Sequence, residues 1–261
     1  SSPKKSKIKK GKECLQINNL SFQPSDPFGI PIKNLNLKLH HGEIIGIGGV
    51  AGNGQEEFLS LLSGELKPSN GSLFFNDEDI TKLNVVERRN KGLLSAPEER
   101  LGHAAVPAMS LTENCLITAE HRMKLSKRGL IDYRNSKNLS DRIIKKLDVR
   151  TGGSDALARS LSGGNLQKFV IGRELIQNPK IFIVNQPTWG VDAAAASSIR
   201  QQILDLAKEG TGIIVISQDL DELLEISDVF CALVGGQLSS PEMTIELNPS
   251  RLGMLISNSI E

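Results

Sequence analysis

A glycine-rich turn between an apolar strand and a helix places the strongest constraint on how this chain can fold. The run Glu43–Ile47 predicts a buried β-strand, and Phe58–Leu62 continues a helix that begins near Gln55. Glycines crowd the turn between them, where they let a ligand approach the backbone closely. Because backbone N–H groups in this setting can cradle phosphates, the segment predicts a P-loop.

Short apolar runs alternate with helical segments through the C-terminal part of the chain. The runs Ile181–Val184, Gly212–Ser217 and Val229–Val234 predict strands, and Ala193–Glu209 and Asp219–Ile226 predict the helices between them. Strands that alternate with helices form a largely parallel sheet covered on both faces. The sequence therefore predicts an α/β fold.

The N-terminal part has a different pattern. Cys14–Phe22 and Ile32–Leu39 alternate apolar and polar side chains, as half-buried strands do, and Ser72–Phe75 predicts a further strand. Asn84–Lys91 predicts a short polar helix, and Leu93–Ala96 predicts the strand after it.

Residues 110–159 are predicted to be mainly helical. Ser110 and Glu113 form a capping-box pattern that opens a helix to about Ala119, and Asn138–Leu147 has helical spacing of its apolar residues. The basic stretch His121–Arg128 is predicted to be a solvated loop.

The segment Leu161–Lys168 has the pattern of a helix start. Ser162 is a favourable N-cap residue, and Gly163 and Gly164 let a partner approach the backbone closely. N–H groups at such a terminus suit an anion such as a phosphate, although an ordinary capped helix has the same pattern.

In order and spacing these segments resemble the nucleotide-binding domain of ABC transporters, with Leu-Ser-Gly-Gly-Asn-Leu-Gln-Lys at 161–168 as the signature motif. The resemblance covers roughly Cys14–Ser257 and is greatest to the C-terminal domain of the tandem ATP-binding subunits of simple-sugar and nucleoside importers. It implies a P-loop NTPase domain with a mixed, largely parallel core sheet, an antiparallel β-subdomain and a helical signature subdomain. That subdomain, at about 105–178, would dock on transmembrane subunits.

The same resemblance implies a domain organisation. Residues 1–12 are rich in lysine and would form a linker, residues 13–257 the nucleotide-binding domain, and residues 258–261 a tail. We expect the chain to be the second half of a longer polypeptide whose first half is a competent nucleotide-binding domain.

The P-loop departs from the pattern GxxxxGK(S/T). Gln55 stands where the family has the lysine that binds the β- and γ-phosphates, and Glu56 stands where it has the Mg²⁺-binding hydroxyl. Losing the lysine removes a charged hydrogen bond worth about 1.5–3 kcal/mol. A carboxylate about 4 Å from a phosphate oxygen costs on the order of 4 kcal/mol. The positions that retain the backbone nest are Gly49, Gly52, Asn53 and Gly54.

Three more catalytic positions carry neutral amides. The strand at Ile181–Val184 ends in Asn185 and Gln186 where the family has a metal-binding Asp and a catalytic Glu, and Gln218 aligns with the switch histidine. Amides preserve hydrogen bonding but lack the charge and basicity of a general base. We therefore expect no hydrolysis at this site, and weak or absent binding of ATP and Mg²⁺.

The positions that would face a partner domain are better preserved. Asp192 matches a residue that contacts the opposite domain, although Trp189 replaces a usual arginine nearby. Glu98 lies in Pro97-Glu-Glu-Arg100, which resembles the Q-loop that reports nucleotide state. Phe22 lies near the family's adenine-stacking aromatic, but a core-facing strand residue is an equally good interpretation. The signature positions are Ser162, Gly163, Gly164, Asn165 and Gln167.

Composition excludes several classes of function. A net charge of +1 gives no general attraction to nucleic acid, and no apolar run approaches the roughly 20 residues of a membrane span. Three scattered cysteines suit reduced, buried thiols rather than disulfides.

The sequence thus predicts a degenerate ATP-binding domain, cytoplasmic and peripheral on the inner face of the membrane, that pairs with a competent domain and with permease subunits. The alternatives are a regulatory or scaffold protein that does not transport, and an ATPase that is active despite its substitutions.

Overall fold

Strand Ile44–Gly48, which precedes the glycine-rich turn, lies inside a seven-stranded sheet in the part of the chain that the computed structural model describes, residues 11–257. All its residues are buried, as are those of strands Gly212–Ser217 and Ile181–Asn185. Parallel strands covered on both faces lack an exposed side and so need no polar alternation. The predicted α/β fold with a largely parallel core sheet is confirmed.

The strands are β1 (Glu13–Phe22), β2 (Ile32–His40), β3 (Ile44–Gly48), β4 (Asn70–Phe75), β5 (Glu78–Asp79), β6 (Leu93–Ala96), β7 (Ser126–Lys127), β8 (Leu130–Ile131), β9 (Ile181–Asn185), β10 (Gly212–Ser217), β11 (Val229–Val234), β12 (Gln237–Leu238) and β13 (Glu242–Met243). The α-helices are α1 (Gln55–Ser63), α2 (Val85–Lys91), α3 (Leu111–Ala119), α4 (Tyr133–Lys146), α5 (Gly163–Leu175), α6 (Ala193–Lys208), α7 (Leu220–Ile226) and α8 (Pro249–Ser257).

The described residues form two compact units. The first contains residues 11–95, 180–186 and 203–257, and the second contains residues 96–179 and 187–202. The predicted subdomain at about 105–178 remains a prediction about domain organisation. Only Gly11 and Lys12 of the predicted linker are among the described residues, and the predicted tail at 258–261 lies outside them.

The first unit combines two sheets and α1 around one hydrophobic core. Its main sheet has the order β12-β11-β3-β10-β9-β6, with β13 also paired to β11, and its second sheet is antiparallel in the order β2-β1-β4-β5. Helix α1 contributes Phe58, Leu59, Leu61 and Leu62 to the core that these sheets share. The predicted antiparallel β-subdomain is therefore present.

The second unit is built on helices α3, α4 and α5. The capping box at Ser110 and Glu113 is confirmed: the Glu113 amide donates to Ser110 Oγ (3.1 Å), and the Ser110 amide donates to Glu113 Oε2 (2.7 Å). Deeper in the unit, Arg173 and Glu174 form a buried ion pair (2.8 Å). Arg173 also donates to the carbonyl oxygen of Ala104, so the buried charge has several hydrogen-bond partners, as such charges require.

Two sequence predictions for the second unit need correction. Helix α4 begins at Tyr133 rather than Asn138, because Asp132 caps it: Asp132 Oδ1 accepts a hydrogen bond from the Asn135 amide (3.0 Å). The first turn carries polar residues, so apolar spacing does not reveal it. The stretch predicted as a solvated loop contains β7, which pairs with β8 in a short hairpin, and its Leu125 is buried.

The three cysteines, Cys14, Cys115 and Cys231, are buried free thiols, as predicted. Burial raises the pKa of each to about 12, so all three remain protonated at neutral pH. Separately, no helix within residues 11–257 has the length and apolar character needed to cross a bilayer.

Candidate functional site

The glycine-rich turn joins β3 directly to α1, as the sequence predicts. Gly52 and Gly54 have φ angles of +80° and +103°, which side chains disfavour. A Cβ on Gly49 would lie 2.5 Å from the carbonyl oxygen of Leu233. The turn therefore depends on these three glycines, and Gly54 precedes α1 without any side-chain cap.

The side chain of Gln55 folds back across this turn. Its Oε1 accepts a hydrogen bond from the Asn53 amide (3.0 Å), and its Nε2 donates to the carbonyl oxygen of Val50 (2.8 Å). The Asn53 N–H belongs to the nest that would hold a phosphate oxygen. Gln55 therefore competes with a phosphate for a donor, an effect that the sequence analysis did not anticipate.

Asn53 fixes the turn from the other side. Its Nδ2 donates to the carbonyl oxygen of Val50 (2.8 Å), and its Oδ1 accepts from the Gly235 amide (2.8 Å). The Gly236 amide donates to the Asn53 carbonyl oxygen (3.0 Å). These bonds connect the turn to the segment between β11 and β12. The turn, with Gln55 folded across it, is therefore anchored to the main sheet.

The two acidic residues at the start of α1 have different environments. Glu57 accepts a hydrogen bond from the Ile30 amide (3.0 Å) and thereby holds the loop before β2. Glu56 is exposed to solvent, which screens its charge more effectively than a buried position would. Both carboxylates lie in the first helical turn, where they complement the helix dipole.

The carboxyl end of β9 lies beside strand β10. Asn185 and Gln186 are buried, and Gln186 has a φ of +53° with its amide bonded to the Ile216 carbonyl oxygen (2.8 Å). Gln186 Oε1 lies 3.5 Å from both Ser217 Oγ and the Gln218 amide. The structure therefore brings together the predicted residues Gln186 and Gln218, the latter with an exposed side chain.

Sequence reasoning missed a buried carboxylate at this strand end. Glu222, in the first turn of α7, accepts a hydrogen bond from Ser217 Oγ (2.9 Å) and is only 2% exposed. Its amide donates to Asp219 Oδ1 (3.1 Å), so the turn that carries it is fixed by a helix cap. Glu222 supports Ser217, which in turn contacts Gln186.

Phe22 ends β1 beside Ile32 of β2 and packs, half-buried, against the hydrophobic core of the first unit. The core contact accounts for an aromatic residue at this position. Stacking of Phe22 on adenine remains a prediction.

In the second unit, the predicted signature forms the start of α5. Ser162 is at the N-cap position, but its side chain caps no backbone amide, contrary to the sequence-based expectation. Its Oγ instead accepts from Asn165 Nδ2 (2.9 Å), while Asn165 Oδ1 accepts from the Arg150 amide (2.8 Å). Because Ser162 and Gly163 are exposed, the positive end of the helix faces solvent.

Asp192 directly precedes α6 within the same unit. Its Oδ1 accepts a hydrogen bond from the Ala195 amide (2.9 Å), and this bond, ahead of the positive charges of Lys168 and Arg150, lowers the pKa of Asp192. The carboxylate is therefore charged at neutral pH and exposed. It acts locally as a helix cap, and its contact with a partner domain remains a prediction.

A family model described as ABC transporter matches residues 32–189, which is more than half of the chain. The chain belongs to the ABC transporter family. The glycine-rich turn and residues 161–168 lie within the matched residues, and their roles as P-loop and signature motif remain predictions.

Two curated relatives are named as import ATP-binding proteins. The nucleoside import ATP-binding protein NupA of Lactococcus lactis subsp. cremoris is 34% identical over 245 residues, which cover 93% of this chain and 48% of that protein. The galactose/methyl galactoside import ATP-binding protein MglA of Escherichia coli is 35% identical over 233 residues, which cover 88% of this chain and 45% of that protein. The chain thus spans about half the length of the curated relatives it matches.

Solved ABC cassettes share the fold. A nucleotide-free ATP-binding cassette matches with a TM-score of 0.73 at 22% identity, covering 95% of this chain and 100% of that chain. A dimeric cassette in a post-hydrolysis state, bound to ADP and Pi, matches with a TM-score of 0.74 at 21% identity. The match covers 88% of this chain and 98% of that chain. The expected ABC ATPase fold is confirmed.

Three features of the first unit bear on how it could hold a magnesium nucleotide. Gln55 takes one N–H of the nest, an exposed Glu56 stands at the position of the metal-binding hydroxyl, and the end of β9 carries neutral Asn185 and Gln186. Within residues 11–257, no group of three or more His, Cys, Asp or Glu side chains is placed to hold a metal ion. A phosphate oxygen that used the Asn53 N–H would have to displace Gln55 Oε1.

Proposed function

We propose that this chain is the second ATP-binding domain of an importer's ATPase subunit, and that it lends its signature motif to a competent partner domain. Its own P-loop binds Mg-ATP weakly and does not support hydrolysis. The partner is the first half of the same polypeptide, and both domains work on permease subunits at the inner face of the membrane.

The observation that carries the proposal is the contrast between the two motifs. The P-loop is closed by Gln55, whose amide occupies the Asn53 N–H, whereas Ser162 and Gly163 leave the positive end of α5 exposed. A domain arranged in this way can complete another domain's phosphate site better than it can bind a nucleotide itself.

Names of relatives support the substrate class. These names describe ATP-binding proteins for the import of a nucleoside, glucose, ribose, guanosine, or galactose and methyl galactoside. We infer that the importer containing this chain takes up a nucleoside or a simple sugar. The transported molecule would contact the permease and a binding protein rather than this domain.

The chain alone is expected not to hydrolyse ATP, because Gln186 supplies no general base and Gln55 no phosphate-binding charge. Phosphate release by the purified chain with Mg-ATP measures this. Gln186→Glu alone is also expected to remain inactive, because the lysine and metal-ligand positions are still substituted. Release above background that disappears in Gln186→Ala would establish the chain as an ATPase in its own right.

Opening the P-loop is expected to improve nucleotide binding. Gln55→Lys combined with Glu56→Ser frees the Asn53 N–H and adds a charged hydrogen bond worth about 1.5–3 kcal/mol, or roughly tenfold to a hundredfold in Kd for Mg-ATP. Glu56→Ser alone should tighten binding by about tenfold or less, because this carboxylate is exposed and screened.

Titration calorimetry with Mg-ATP compares these variants with Glu209→Ser, which removes the same charge from an exposed position just after α6. Low-micromolar binding by the unmodified chain would show that Gln55 and Glu56 are not obstacles. If Glu209→Ser tightened Mg-ATP binding equally, the effect of Glu56→Ser would be one of net charge alone.

A further inference from the structure

Arg100 lies against the start of the signature helix. Its Nε donates to Gln167 Oε1 (2.9 Å), and its Nη2 donates to the carbonyl oxygen of Trp189. Its Nη1 lies 2.7 Å from the position that a Cβ on Gly163 would take. The guanidinium therefore fills the space that the glycine leaves beside the first turn of α5.

Gln167 extends this contact. It is 1% exposed, and its Nε2 donates to the carbonyl oxygen of Pro187 (3.2 Å). Arg100 and Gln167, which we call the clamp, thus bind two carbonyl groups of the segment 187–190 to the first turns of α5. All of these residues lie within the second unit.

Close backbone contact completes the arrangement. A Cβ on Gly164 would lie 3.2 Å from the carbonyl oxygen of Gly190, and a Cβ on Gly190, where φ is +66°, would lie 3.2 Å from Arg100 Nη2. The distance between α5 and this loop is consequently set by glycine backbone and by the clamp. Asp192 follows Gly190 by two residues, so the same contacts fix the position of Asp192.

Arginine suits this position better than lysine does. Its planar group presents fixed donors in several directions, so one side chain can hold an amide oxygen and a carbonyl oxygen at once. An ammonium group on a flexible stem would not fix both acceptors in one geometry. Burial lowers the pKa of Arg100, and nearby Glu98 acts in the opposite direction.

We propose that Arg100 is a positioning residue that holds the start of α5 and the loop before Asp192 in the mutual arrangement needed for signature donation. This role rests on the proposed function. Since Arg100 belongs to the segment 97–100, movement of that segment would be transmitted to the signature and to Asp192 together. No contact between Arg100 and the nucleotide is required.

The local part of the proposal can be measured on the chain itself, because Trp189 is its only tryptophan. Arg100→Met keeps a long side chain but removes the donors, so the fast, local component of the Trp189 fluorescence anisotropy decay should at least double in amplitude. Arg100→Lys should give an intermediate value. Arg142→Met, which changes an exposed arginine on α4, should leave the decay unchanged. An unchanged decay in Arg100→Met would refute the clamp.

The functional part requires the assembled transporter. In Arg100→Met, kcat for ATP should fall at least tenfold while KM changes less than threefold, because the partner's P-loop makes the initial contacts with ATP. Arg100→Lys should recover part of kcat, and Arg142→Met should match the parent. If Arg100→Met fails to assemble, the anisotropy decay and kcat are both measured on Arg100→Lys, for which we expect a loss in kcat of about threefold.

The outcomes separate this role from the proposed function. A loosened Trp189 with normal kcat would refute positioning by Arg100. If Gly163→Asp leaves ATPase activity intact, the proposal that this domain donates its signature is refuted, and with it the role of Arg100 in that donation. The anisotropy decay of Trp189 would still decide whether the clamp exists.

Discussion

Gly163→Asp is expected to abolish ATP hydrolysis and uptake by the assembled transporter. The new side chain would begin 2.7 Å from Arg100 Nη1, so the guanidinium must move, and the carboxylate would lie at the exposed positive end of α5. A negative charge about 4 Å from a phosphate oxygen costs on the order of 4 kcal/mol, which corresponds to roughly a thousandfold loss.

Two matched variants separate charge from bulk. Gly163→Ala adds only the Cβ, which the flexible end of Arg100 can accommodate, so a partial loss of activity is expected. Gly152→Asp adds the same charge where a Cβ would meet nothing within 4 Å, and it should retain activity. Each variant must copurify with the permease before its ATPase and uptake rates are compared.

The proposed division of labour also predicts what should matter little. Gln186→Ala and Gln218→Ala alter positions that already lack the base and the switch, so the loss should be less than about tenfold, or roughly 1.4 kcal/mol of barrier. Equal losses in Gly163→Asp and Gln186→Ala would reject an asymmetric pair of sites. Full activity in Gly163→Asp would remove the reason to regard this domain as a signature donor.

Apolar periodicity located the buried strands well but the polar elements poorly. Strands β10 and β11 have the predicted bounds, because their buried apolar runs end sharply at polar or glycine residues. The hairpin of β7 and β8 was missed because its exposed residues lack alternation, and α8 was missed although Pro249 occupies its first position, as proline often does.

The candidate site shows the same limit at the level of side chains. Motif spacing correctly located Gln55 at the start of a helix, Gln186 at a strand end and the signature at the start of another helix. It could not indicate that Gln55 turns back onto its own loop, because that depends on a rotamer. Nor could it pair Arg100 with Gln167, since residues so far apart in sequence meet only through the fold.

The second large effect is expected for the stability of the first unit. Arg88 is 1% exposed, and its guanidinium donates to four carbonyl oxygens: those of Leu61 (2.6 Å), Leu62 (2.9 Å), Leu83 (3.0 Å) and Thr81 (3.0 Å). Leu61 and Leu62 belong to the last turn of α1, whose carbonyl groups would otherwise lack helical partners. Burial lowers the pKa of Arg88 to about 10, so it remains charged at neutral pH.

Arg88→Met should therefore destabilise the fold by about 3–5 kcal/mol, because it fills similar space but leaves several carbonyl groups buried without donors. Arg88→Lys should lose somewhat less, since an ammonium group retains the charge but cannot reach four acceptors in this geometry. Urea unfolding followed by far-ultraviolet circular dichroism measures the midpoint and slope, with exposed Arg142→Met as the control. A midpoint shift no larger in Arg88→Met than in Arg142→Met would show that water replaces the guanidinium at no cost. Gly64 still caps α1 through its amide, which donates to the Ser60 carbonyl oxygen, so the expected loss comes from the carbonyl groups that Arg88 serves.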